Sequence, residues 1–414
     1  MPNQDRKADV VVVGAGPIGA VAARSAALAG ARTLLIERRQ PTDRPSACTG
    51  LVSPRTLDAL GVSDRSVLQH IRAVEAVSPG GRILRVRSDT AKAVVLDRVL
   101  LETELRTLAE ADGVALQMGT EVARVETGQL RISGPEGEET IGAGVIILAC
   151  GAESTIVEAA GFGAPSRTVL AAQAEIDHAP AAPDCVSVFL GASVAPRFFG
   201  WAVPTSTDRT RVGLAVPPSD RPAERLGHLL ERRFPEAAVL SRAAGPIPIG
   251  PVSDPVGPGL LLVGDAAGHV KPLSGGGLYT GAICGRIAGR TAARASRAGD
   301  GRNRTLASYT DACERAIGKE IRFGLAARDL LESMSDAQID DAFRAADHPD
   351  LLAFLGRYGD IDRLRELPRR LAKQWTLWKR LLPLLALLDG FVLRGSFDDA
   401  TTSDDVSQPE SRKP

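Results

Sequence analysis

Gly14, Gly16 and Gly19 stand between a four-valine run, Val10 to Val13, and a stretch of small residues that opens at Pro17. That spacing fits main chain to a pyrophosphate: the first glycine makes the tight turn, the second lets the ligand approach the backbone, and the third lets helix and strand pack closely. A helix starting at Pro17 adds free amides and a partial positive charge. Glu37 follows the loop by about 20 residues, where a carboxylate takes the ribose hydroxyls of an adenosine. These residues predict a dinucleotide site.

Far downstream, Leu262 and Val263 lead an apolar run into Gly264 and Asp265, and Gly275, Gly276 and Gly277 open another helix. A nicotinamide site needs no such second segment. A carboxylate after a strand can accept hydrogen bonds from a ribityl chain, and a helix start facing a flavin stabilises the negative charge of its reduced form. The expected cofactor is therefore FAD. No second nucleotide fingerprint is present, so NADPH, ferredoxin and a reduced deazaflavin all stay open as external electron donor.

Regular elements must hold these residues. Thr33 to Ile36 completes a strand, helix, strand unit, and helices are predicted over Pro17 to Ala29, Pro54 to Leu60 and Leu96 to Ala111. Short strands are predicted at 114–118, 121–125, 129–132 and 145–149, with mostly strand over 169–216, a buried strand at 260–263 and a long helix at 277–297. A helical pattern runs on to about Leu393. The predicted class is α/β: a Rossmann-like FAD-binding domain from 1–75, 96–165 and 255–300, an inserted antiparallel-sheet substrate domain from 76–95 and 166–254, a helical region at 301–395, and a disordered polar tail at 396–414.

With 414 residues, 50 basic against 50 acidic side chains and 44% hydrophobic residues, the composition is that of a globular protein of zero net charge. It gives no electrostatic reason to expect nucleic acid. Five cysteines without CxxC spacing suggest neither a disulfide framework nor a metal site, and fit a reducing cytoplasm. Residues 1–7 carry no leader pattern, and no apolar run reaches the roughly 18 residues of a spanning helix. Trp375, Trp378, Lys379 and Arg380 precede an apolar run, Leu381 to Leu388. The segment 375–394 suits peripheral contact with the inner face of the cell membrane and equally a helix capping the protein's own core. Oligomeric state is left open.

Three stretches carry a resemblance: Cys48-Thr49-Gly50 with Leu51 to Pro54, PRFFGWAVP at Pro196 to Pro204, and Gly264 to Gly285. From Asp9 to about Arg394 the chain resembles the FAD-containing group that includes p-hydroxybenzoate hydroxylase, and more narrowly the geranylgeranyl reductase family. The resemblance implies that Phe198, Trp201, Val203 and Pro204 line the substrate cavity, with Phe198 where tyrosine is usual and Val203 where phenylalanine is usual. It places the Cys48 thiol beside the isoalloxazine as the catalytic candidate, able to hydrogen-bond to the flavin or supply a proton. Arg98 is implied to reach the flavin's phosphates or ribityl chain, its alternative being a pair with Glu102. His269 is placed near the flavin in a structural role. Cys150 stands where the hydroxylases carry an aspartate before glycine, and is given no catalytic part.

The implied reaction saturates double bonds of a geranylgeranyl-type chain on a lipid, a diphosphate or a quinone, with hydride from the flavin reaching one carbon and a proton the other. An isolated alkene develops no oxyanion, so catalysis rests on orientation in a dry apolar cavity and on the flavin's reducing power. The alternative is an FAD monooxygenase acting on an aromatic or hydrophobic small molecule, which would require oxygen. A flavin-binding sensor or lipid carrier is a third.

Overall fold

The computed structural model describes residues 7–40, 48–135, 137–152, 155–299 and 302–374. The valine run lies in the strand Lys7–Val13, flanked in parallel by Thr33–Ile36 and Gly137–Leu148. Ala115–Gln117 and Leu260–Leu262 extend the parallel set on either side. Val10 and Val12 face a core shared with helices, while Val11 and Val13 face one shared with Val125, Leu130 and Ile132. Both faces are therefore covered, which is why this strand reads as a continuous apolar run and not as an alternation.

Helix Pro17–Leu28 lies against the long helix Leu278–Arg297. Small residues make the approach possible: a Cβ at Gly289 would sit 2.2 Å from the Ala22 carbonyl oxygen. The first helix thus brings the two glycine-rich segments together, although about 250 residues separate them. The helix expected from Leu96 starts two residues later, as Arg98–Ala111. Asp97 caps it, accepting from the amides of Val99 at 2.8 Å and Leu100 at 3.1 Å, while Leu96 ends the strand Ala93–Leu96.

A second, seven-stranded sheet runs in the order Ala238–Ile249, Arg167–Asp177, Arg209–Val216, Gly200–Pro204, Cys185–Phe189, Ala73–Val77, Ile83–Arg87. Its pairs are antiparallel except that of Cys185–Phe189 with Ala73–Val77, which is parallel. The helix Pro222–Arg233, unassigned from sequence, buries Leu226, Leu229 and Leu230 against this sheet. A three-stranded sheet pairs Leu51–Val52 and Val67–Ile71 with Ala93–Leu96. Helices follow from Arg302 to Leu371. The segment 375–394 and the tail 396–414 lie outside the described residues. Among those described, no helix is long and apolar enough to cross a membrane.

Candidate active site

Gly14 holds φ +101°, and a Cβ there would sit 2.5 Å from the Ala149 carbonyl oxygen; one at Gly19 would sit 1.8 Å from the Gly14 carbonyl oxygen. Chain packing by itself demands glycine at both. Gly16 is different. Its backbone is in the extended region open to any residue, and a Cβ would meet nothing within 4 Å, because the position faces a cavity. Glu37 is buried at the same cavity wall, accepting from the Ala15 amide at 2.8 Å and the Arg39 amide at 3.0 Å. Its carboxylate thereby ties the loop to the end of the second strand.

Arg39 also reaches Glu102 at 3.3 Å, and Arg98 reaches it at 2.6 Å, with Glu102 only 2% exposed. The pairing of Arg98 with Glu102 anticipated from sequence is therefore present, but deeply buried. It does not use the whole guanidinium. The Arg98 Nε is buried without a partner while the side chain lines the cavity. Burial opposes the charge of Arg98, yet Cys48 and Glu102 beside it prevail and its pKa is raised. Burial also pushes the Asp265 carboxyl up, with Arg98 pulling it back. Asp265 lies under the third glycine of the run, where a Cβ at Gly277 would be 2.7 Å from its Oδ1.

These observations test whether FAD fits. Gly16 leaves bare main chain toward the cavity, Arg98 offers an unspent N–H, and Asp265, Gly275, Gly276 and Gly277 line the same space. The donor set suits a dinucleotide carrying phosphates and a polar ribityl chain. Arg98→Met should leave the fold intact, because Glu102 retains Arg39 and Arg106, and should weaken FAD binding by about 10- to 100-fold, the worth of one charge-assisted hydrogen bond. Fluorescence titration of the apoprotein with FAD checks this; an unchanged Kd would remove Arg98 from the site.

The cavity measures about 1300 Å³. An ordinary ligand pocket holds roughly 300 to 1,000 Å³, so there is room for a second molecule beside a dinucleotide. Cys48 is half-buried at the cavity wall, and its Sγ accepts from the Gly50 amide at 3.4 Å. Its loop is held from the second sheet: Arg211 donates to the Thr49 carbonyl at 3.0 Å and to that of Leu96 at 3.2 Å. Gln173 Oε1 accepts from Thr49 Oγ1 at 2.8 Å and from Trp201 Nε1 at 3.4 Å. Neither Gln173 nor Arg211 was singled out from sequence. Their partners in the Cys48 loop and at Leu96 are more than 100 residues away, so no local spacing marks them.

Of the four cavity residues implied by the resemblance, Trp201 and Val203 line the cavity while Phe198 and Pro204 do not. The reason is strand alternation: in Gly200–Pro204 the odd positions face the cavity, while Ala202 faces the opposite core. Phe198 instead stacks on Phe199 at 4.4 Å between centroids, carries the Arg328 guanidinium at 4.7 Å and backs the Gly275 loop. Phe199 takes the place at the cavity wall. Trp201 fits because its strand partner is Gly213, where a Cβ would lie 2.5 Å from the indole ring.

His269 is buried away from the cavity lining, with its ring edge toward Tyr309. Burial pushes its pKa down to about 4, so it stays neutral and supplies no acid near neutral pH. It approaches Cys284 and Cys313 to within 4.8 Å, three buried donors that no fourth histidine, cysteine or carboxylate joins among the described residues. Cys150 lines the cavity beside Ala149 and Gly151.

A family model described as an FAD binding domain matches residues 7–239. Digeranylgeranylglycerophospholipid reductase 2 of Methanopyrus kandleri is 32% identical over 366 residues, 83% of this chain and 91% of that protein. The chain belongs to the geranylgeranyl reductase family of FAD-dependent oxidoreductases. Another member, digeranylgeranylglycerophospholipid reductase 1 of Methanothermobacter thermautotrophicus, is 33% identical over 359 residues, 81% of this chain and 90% of that protein. The fold is shared with a geranylgeranyl bacteriochlorophyll reductase-like protein from Thermoplasma acidophilum, at a TM-score of 0.79 and 22% identity over 92% of this chain and 99% of that one. As a member of the family this flavoprotein binds FAD and acts as a reductase.

Proposed function

We propose that this reductase saturates double bonds of a geranylgeranyl-type chain carried by a lipid, a diphosphate or a quinone. One observation supports it above the rest: the cavity that the dinucleotide loop lines is also walled by the apolar residues Ile71, Val74, Val186, Trp201 and Val203, with Cys48 in the same wall. The names of the two archaeal relatives support it too. Gly16, Arg98, Asp265 and Gly277 would hold the flavin, which in its reduced form would supply the hydride for one alkene carbon. The protein's share is to exclude water, to hold the chain straight against the indole of Trp201, and to keep a proton at Cys48 Sγ for the other carbon.

The dinucleotide unit would comprise 1–75, 96–165 and 255–300, and the substrate-covering unit 76–95 and 166–254. NADPH, ferredoxin or a reduced deazaflavin would reload the cofactor. The run 375–394 would make peripheral contact with the inner face of the cell membrane. Incubated anaerobically with reductant and a geranylgeranyl lipid, the holoenzyme should yield products heavier by successive pairs of hydrogens in mass spectrometry. A product that gains oxygen, and appears only in air, would replace this reading with the monooxygenase.

A further inference from the structure

The apolar wall of this cavity has a charged end. Strand Ala93–Leu96 works as a ruler along it: the Leu96 amide donates to the Gly50 carbonyl at 2.9 Å, two residues from Cys48, whereas the Lys92 amide, just before the strand, donates to the Ile71 carbonyl at 2.9 Å. Four residue steps separate Lys92 from Leu96, a rise of roughly 13 Å at about 3.3 Å each. At the Lys92 end the cavity lining changes from apolar residues to Arg72, Ser88 and Lys92. Arg72 is exposed, so this end meets solvent.

The two cations are not spent on carboxylates. Arg72 Nη1 donates to the Asp89 carbonyl at 3.3 Å and Lys92 Nζ to the Arg357 carbonyl at 2.8 Å, and neither forms a salt bridge among the described residues. Asp184, the nearby acid, is taken by Arg87 at 2.6 Å and feels Arg72 only as a minor influence. Arg357 lies over the Tyr358 ring. Helix Pro349–Tyr358 packs tightly on strand Ile83–Arg87 beside this end, since a Cβ at Gly356 would fall 2.0 Å from the Arg87 carbonyl oxygen. Two unneutralised cations beyond a continuous apolar wall match a molecule with a long hydrocarbon chain and an anionic head.

We infer that Arg72 and Lys92 form the subsite for a phosphate head group, anchoring the substrate so that double bonds well along the chain, and not the one nearest the head, lie beside Cys48. This rests on the prenyl-reductase reading. It singles out phosphorylated prenyl substrates over a quinone or a free alcohol. The phosphate can belong to a prenyl diphosphate or to a prenylated glycerophospholipid.

The test compares the holoenzyme with Arg72→Ala/Lys92→Ala on geranylgeranyl diphosphate, a digeranylgeranyl glycerophospholipid in micelles, and geranylgeraniol. The double variant should keep its flavin, raise KM at least 10-fold for a phosphorylated substrate and leave geranylgeraniol unchanged. Arg72→Lys should recover most of the loss. An effect confined to one phosphorylated substrate names the source of the phosphate. A KM that stays put for both, or rises equally for the alcohol, overturns the anchor. Binding of the diphosphate, followed by the flavin absorbance, gives a second reading. If wild-type enzyme reduces none of the three, the reductase reading fails, while tight diphosphate binding abolished in the variant would still sustain the anchor and equal binding would refute it.

Discussion

Gly16→Val is expected to give a folded, colourless protein. Valine adopts the extended backbone of Gly16 readily, and its Cβ would touch no atom of the chain within 4 Å, so the fold should lose less than about 1 kcal/mol. The branched side chain would instead occupy the strip where a pyrophosphate must lie against bare amides. FAD affinity should fall at least about 100-fold, on the order of 3 kcal/mol. Gly19→Val should behave oppositely, because its Cβ would collide with the Gly14 carbonyl oxygen at 1.8 Å and the loop could not close. Thermal melts of the apoproteins together with the 450 nm flavin band separate the two. A yellow Gly16→Val protein with stoichiometric FAD would show that the cofactor does not cross this loop.

Cys48→Ala should keep FAD and slow the reduction of a prenyl alkene by about 10²- to 10⁴-fold, the usual worth of a positioned proton donor. The thiol sits at the cavity wall that Arg98 also lines. Its loop is held chiefly by Arg211 and Gln173 through Thr49, the sulfur adding one long hydrogen bond from the Gly50 amide, so truncation should move it little. Cys48→Ser, which retains a donor, should recover part of the rate. Single-turnover reoxidation of the reduced enzyme by a prenyl lipid is the measurement. A rate equal to wild type would leave Cys48 a small apolar neighbour of the cofactor, with the proton coming from elsewhere.

The difference between these two sites is also a difference in legibility. The phosphate loop is written locally, in three glycines, a strand and a carboxylate within about 25 residues, because the demands on it are those of a single turn. The same holds for the second glycine run. Alternation in Gly200–Pro204 was legible as well, and would have separated Trp201 and Val203 from Pro204 had the strand register been applied to the motif. Phe199 in place of Phe198 follows from no such rule, since Arg197 just before it adopts φ 60° and turns the chain. Only the partners Arg328, which donates to the Arg197 carbonyl at 3.1 Å, and Gly275 decide which ring faces inward.

The sequence by itself determined that strand, glycine turn, helix and carboxylate would form one local unit, that the second glycine segment would follow a buried strand and open a helix, and that an α/β unit would carry an antiparallel sheet. These follow from backbone geometry and short-range hydrogen bonding, which act over a turn or a strand. The tertiary structure alone decided that Gln173 and Arg211 would hold the Cys48 loop and that the cavity would reach Arg72 and Lys92. Each depends on pairings such as Ala73–Val77 beside Cys185–Phe189, more than 100 residues apart. Residue type carries no mark of such a partner, because burial and cross-sheet packing, not local propensity, choose it.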